Sequence, residues 1–228
     1  SRGLGDVYKR QQLIDVLESL LAPGGCDWDR KQTHQSLVPY LLEETHEVIE
    51  AIENGDMNSL KEELGDLMLH ILFQAKLAET EGHFNISDSL RDISSKLIRR
   101  HPNVFSDAKQ PLDDNQSWEQ AKKKEKKRDS VLDGVPISLP TLTRARRIQE
   151  KASSVGFDWK AIEPIWDKVH EEIGELSEAI DSKDKNKIQD EMGDALFSIV
   201  NLARFLDIDP EASLRQTCLL YTSDAADE

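Results

Sequence analysis

Apolar residues recur along this chain at helical spacing and nowhere in sustained alternation, so the predicted elements are helices throughout. From Leu13 to Ala22 the run LIDVLESLLA puts Leu13, Val16, Leu17 and Leu20 on one face before Pro23-Gly24-Gly25 breaks it. Pro39 suits a first helical turn, and Leu41, Leu42, Thr45, Val48, Ile49 and Ile52 carry a second helix to Glu53, where Asn54-Gly55-Asp56 stops it. A third helix, capped by Asn58 or Ser59, runs through Leu60, Leu64, Leu67, Ile71 and Leu72 toward Gly82. Its middle is apolar on nearly every side, which predicts a central position. Ser87 opens a fourth through Leu90, Ile93 and Leu97, closed by Pro102. Residues 106–117 read as a polar loop, Trp118 to Arg128 as a charged helix, and Asp133 to Pro140 as a linker rich in Pro and Gly. Beyond it, helices are expected over Leu142 to Val155, about Ile165 to Ile180 and about Ile188 to Phe205. The fold class is all-α, built as helical bundles.

The second half repeats the first. Glu43, Glu44, Glu47, Glu63 and Asp66 recur as Glu171, Glu172, Glu175, Glu191 and Asp194, each 128 residues on with no gap. From 43 to 66, eleven of twenty-four aligned columns are identical, the five acids and Gly65 among them. Two unrelated acidic helices would not hold that register, so the chain reads as a tandem duplication, with domains at 12–130 and 142–217 joined by a linker at 131–141.

The two ends stand apart. Asp6 to Gln11, DVYKRQ, back-translates to GATGTGTATAAGAGACAG, and Cys218 to Ser223, CLLYTS, to TGTCTCTTATACACATCT, its reverse complement apart from a one-base offset. A natural gene has no reason to carry that inverted repeat, so residues 1–11 and 218–228 are expected to be adapter-derived and not native. On that reading Cys26 is left alone, no internal disulfide is possible, and a reducing cytoplasm is the expected location.

Composition narrows the chemistry. The 228 residues (25.9 kDa) carry 29 basic against 44 acidic side chains, for a net charge of -15. Such a surface repels a phosphate backbone, which argues against stable nucleic-acid binding. The longest apolar stretch, Leu67 to Phe73, is interrupted by His70 and falls far short of the roughly 18–20 residues of a membrane span.

The duplicated acids are the candidate chemistry. Glu44 and Glu47 are i, i+3 neighbours on one helix, and Glu63 and Asp66 on the next. A turn at Asn54-Gly55 makes the helices antiparallel, so the pairs face each other. Four carboxylates that close repel strongly unless a cation sits among them. Oxygen-only ligands favour Mg²⁺ or Mn²⁺, and Mg²⁺ is commonly shared with substrate phosphates. One EExxE alone reads as an ordinary solvated face; two in register do not. A di-iron carboxylate bundle is the rival, since Glu43 and His46 have ExxH spacing, although the second copy has Gly174 where His46 stands. A non-catalytic helical interaction protein is the other alternative.

EETHE and ELGD, with EEIGE and EMGD at the same spacing, resemble the EExxE and ExxD signature of the MazG-type nucleoside triphosphate pyrophosphohydrolases. CDWDRKQT (Cys26 to Thr33), RRHPNVF (Arg99 to Phe105), Trp118-Glu119 with Lys122, and Leu132 to Trp159 extend the resemblance over nearly the whole chain. It implies Mg²⁺-dependent hydrolysis of NTPs or dNTPs to monophosphate and pyrophosphate in an all-α, usually dimeric protein. It also implies metal ligation by Glu44, Glu47, Glu63 and Asp66 and by Glu172, Glu175, Glu191 and Asp194, with Glu43 and its counterpart Glu171 as helpers. Glu43 or Glu47 is the candidate to orient the attacking water. Lys96, Arg99 and Arg100 on one helix, and Lys31, are candidate phosphate partners that also read as solvated charges. Lys122 to Arg128 reads as a solvated face. Trp28 and Trp159, each in a DW pair, could stack on a base or pack in the core. A complete member would continue past Thr217 through another basic helix, so the second site is expected to be truncated.

Overall fold

The computed structural model describes residues 2–105 and 130–224. Every regular element among them is helical, as the apolar spacing predicts. The chain divides into two compact units, Ser1–Phe105 and Ser106–Glu228. The first holds α1 (Arg2–Leu21), a 3-10 turn (Asp29–Lys31), α2 (Val38–Glu53), α3 (Met57–Thr80), α4 (Ile86–Arg100) and the short α5 (Pro102–Phe105). The second holds α6 (Thr141–Ser153), α7 (Glu163–Ser182), α8 (Lys185–Phe205) and α9 (Pro210–Asp224). The expected loop at 106–117 and helix at Trp118 to Arg128 lie outside the described residues. Among the described residues no helix is long and apolar enough to cross a membrane.

Each unit is organised on an antiparallel helix pair, α2 with α3 and α7 with α8. The turn between α2 and α3 is a Schellman closure. The Asp56 N–H donates to the Ala51 carbonyl (3.0 Å), the Gly55 N–H to that of Ile52 (3.1 Å), and Gly55 takes φ +67°. The Asp56 carboxylate then caps α3 by accepting from the N–H groups of Asn58 and Ser59, which corrects the expectation that Asn58 or Ser59 is itself the cap. Those hydrogen bonds hold the Asp56 carboxyl below its ordinary range. In the second unit Asp184 caps α8 the same way, through Asn186 and Lys187, after Lys183 at φ 60°. The caps, like the acids, are 128 residues apart.

The core of the first unit lies at one end of this pair. Leu17 of α1, Leu37, and Leu72 and Phe73 of α3 are buried, with Leu13, Ile14, Leu69, Leu77 and Ile86 packed around them. α3 packs against α1, α2 and α4, the central position its apolar middle predicts, but it is buried only in its C-terminal half: Leu64, Met68 and Ile71 stay 50, 47 and 46% exposed, because α1 covers only one end. In the second unit α6 packs on α8, where the buried Gln149 amide donates to the Phe197 carbonyl (2.8 Å). The loop carrying Asp158 is fastened to α8 by Arg204 (2.5 Å). Burial pushes the Asp158 carboxyl up, but hydrogen bonds from Arg204, Ser153 and the Trp159 N–H, with the charge of Arg204, hold it below the usual range.

Candidate metal centre

The N-terminal half of α3, left open by α1, lies against α2, and their facing sides carry the acids. One oxygen each from Glu44 on α2 and from Glu63 and Asp66 on α3 lie within 4.8 Å of one another. Glu47, exposed on α2, stands outside that group of three but lies near enough to add its charge to both Glu44 and Glu63. Burial, then the charges of Asp66, Glu47 and Glu63, push the Glu44 carboxyl above its ordinary range. Glu63 is raised by burial, then by Glu47, Glu62 and Asp66. The cluster holds more negative charge than its surroundings accommodate.

The second unit repeats this with a difference in membership. Glu172 and Glu175 of α7 and Glu191 of α8 bring oxygens within 4.8 Å of one another, while Asp194, exposed one turn further along α8, stands outside that group. Glu172 is the most enclosed, its side chain 9% exposed. Lys168 reaches it at 2.7 Å and Glu171 at 3.0 Å. Burial, then Glu172 and Glu191, raise the Glu175 carboxyl against the opposing charge of Lys168.

Both clusters suit a hard divalent cation: their donors are carboxylate oxygens alone, and their mutual repulsion is what such an ion relieves. His46 is exposed and outside the cluster, so the ExxH pattern of the di-iron alternative finds no ligand there. Glu43 is also exposed and outside it, and Glu171 engages Lys168. Trp28, half exposed, meets Tyr40 edge-on at 5.6 Å, and Trp159 is 46% exposed on the Asp158 loop. Lys31 is exposed in the 3-10 turn. Lys96 is half-buried on α4, and Arg99 and Arg100 occupy its last turn. Lys122 to Arg128 fall outside the described residues.

Two residues beside the clusters were not singled out by the sequence reading. His70 brings Nε2 to 3.9 Å from Glu44, too long for a hydrogen bond, while its buried Nδ1 has no partner. Burial holds its pKa below the ordinary value against the pull of Asp66, which keeps the ring neutral near pH 7. The signal was its i, i+4 spacing from Asp66. Lys168 carried the same signal, four residues before Glu172 on one helical face.

The chain matches the MazG nucleotide pyrophosphohydrolase domain twice, over residues 32–105 and 161–219, each match enclosing one carboxylate pair of helices. The chain belongs to the MazG family. It is 49% identical over 208 residues to the nucleoside triphosphate pyrophosphohydrolase/pyrophosphatase MazG of Thermotoga maritima, covering 90% of this chain and 80% of that protein. It is 44% identical over 213 residues to the nucleoside triphosphate pyrophosphohydrolase of Escherichia coli K12, covering 90% and 81%. A further relative, the uncharacterized protein YabN of Bacillus subtilis, is 46% identical over 208 residues, which make up 89% of this chain but 42% of that protein. The tandem arrangement of MazG domains thus coincides with the two carboxylate-bearing helix pairs.

Proposed function

We propose that this MazG-family chain hydrolyses nucleoside triphosphates, ribo- or deoxyribo-, to the monophosphate and pyrophosphate, with Mg²⁺ as cofactor and Mn²⁺ as a substitute. The observation that carries this reading is the recurrence of three carboxylate oxygens within 4.8 Å of one another in both MazG domains. Glu44, Glu47, Glu63 and Asp66 would hold the ion in the first domain, and Glu172, Glu175, Glu191 and Asp194 in the second. An ion held there would supply charge neutralisation for the cluster and the polyphosphate, and Lewis-acid polarisation of a phosphoryl oxygen. Glu47, whose charge acts on both Glu44 and Glu63, is the proposed group to take the proton of an attacking water, and exposed Glu43 is the second candidate. Lys31, Lys96, Arg99 and Arg100 are the proposed phosphate partners, and the half-exposed Trp28 and Trp159 the proposed stacking surfaces for a base.

Incubation with each NTP and dNTP, followed by separation of products, tests the reading. Monophosphate and pyrophosphate in equal amounts, lost in EDTA and restored by Mg²⁺, are expected. Orthophosphate as the sole inorganic product, or turnover indifferent to EDTA, overturns it.

A further inference from the structure

The two carboxylate clusters are duplicates in sequence but not in charge. In the second, Lys168 lies one turn ahead of the acids on α7 and places its ammonium 2.7 Å from Glu172 and 3.0 Å from Glu171. The residue 128 positions earlier is Tyr40, a neutral ring turned against Trp28 at 5.6 Å. Among the described residues no lysine or arginine ion-pairs with Glu44, Glu47, Glu63 or Asp66; the nearest base is His70, 3.9 Å from Glu44. Among the described residues, the second cluster carries an ammonium of its own and the first does not.

We propose that Lys168 is a resident counter-ion of the second cluster, so that the two sites take up a free divalent cation unequally: the first directly, the second only in competition with its own ammonium. The inference rests on the metal reading above and adds a hierarchy to it. A cation arriving at Glu172 must either share that carboxylate with Lys168, at the cost of like-charge repulsion, or displace it and break both ion pairs. Each route subtracts from metal affinity at the second site and has no counterpart at the first. The lysine side chain is 43% exposed, so solvent screens part of the effect. The expected difference is roughly two- to fivefold in the dissociation constant, the scale of one partly screened ion pair.

Mn²⁺ binding to the full chain without nucleotide, read from the loss of the free-ion EPR signal, tests this. The Glu172→Gln/Glu191→Gln variant reports the first site, and Glu44→Gln/Glu63→Gln the second. The first site should bind more tightly; adding Lys168→Met to the variant that reports the second should tighten it several-fold, whereas Lys168→Arg should leave it weak. The reciprocal Tyr40→Lys, added to the variant that reports the first site, should weaken it. Circular dichroism establishes that each variant is folded, and the Tyr40 series supplies an independent reading if a Lys168 variant is not. Equal affinities at the two sites, or a folded Lys168→Met variant with unchanged affinity, overturn the inference while leaving the metal reading intact. Absence of Mn²⁺ binding in the wild-type chain overturns both.

Discussion

Asp66 acts on its neighbours by charge: it helps raise both Glu44 and Glu63 while remaining exposed itself. Asp66→Asn removes that repulsion and one ligand together, so its effects on stability and on activity should part. Unfolding in EDTA is expected to stay level or gain up to about 1 kcal/mol, the ceiling for an exposed charge. Turnover should fall by more than about a hundredfold if the first site carries the reaction, since even outer partners of a metal cost roughly 10–100-fold. Asp194→Asn asks the same of the second site, and activity intact in both variants would remove the assignment. The pH dependence follows from the same repulsion. Glu44, Glu63 and Glu175 bind protons more readily folded than unfolded, so metal-free stability falls as pH rises from about 4.5 through their raised values, and stays lower at neutral pH. Asp56 and Asp158 are depressed, and their contribution is lost only as pH falls below about 3.8, so the two windows separate. Melting in EDTA and in Mg²⁺ between pH 5 and 8 should therefore show a metal-induced gain that widens with pH; a constant gap would contradict the charge argument. The acids were legible in the sequence because duplication marks them twice. His70 and Lys168 occur once each, opposite Ser198 and Tyr40, and no internal comparison could single them out.

The helix pairs were legible from apolar spacing and punctuation, because stop and cap residues are local signals. At the start of α3, adjacent residues offer the same capping chemistry. Asp56, Asn58 and Ser59 are all good caps, and only the turn geometry decides for Asp56. The exposure of Leu64 and Met68 was not legible, since it depends on which end of α3 is covered by α1, a tertiary choice. The two turns also differ in strain. Lys183 occupies the left-handed conformation at φ 60° that Gly55 takes at φ +67°, which costs an L-residue about 1–2 kcal/mol, offset in part by the greater chain entropy a glycine loses on folding. Lys183→Gly is expected to stabilise the second unit by about 0.5–1 kcal/mol, seen as a higher urea midpoint with an unchanged slope. A lower midpoint would mean that the lysine side chain contributes more than the turn loses.

Across the whole molecule the apolar stripes left open on the two helix pairs keep the same register as the acids. Leu64, Met68 and Ile71 on α3 recur as Met192, Leu196 and Ile199 on α8, where they are 45, 49 and 44% exposed. A helix of this kind hides such a stripe only against another surface, and we propose a second copy of the chain as that surface. Covering the remaining half of each side chain contributes about 1 kcal/mol, so several together support a stable association whereas one does not. The wild-type chain should sediment at twice its 25.9 kDa mass. Met68→Glu combined with Leu196→Glu should shift it to the monomer, because a carboxylate buried without a partner costs several kcal/mol. Neither residue belongs to the acidic clusters, so Mn²⁺ binding serves as the control for folding. A monomeric wild-type chain, or a double variant that keeps its mass, would rule out these stripes as the dimer interface.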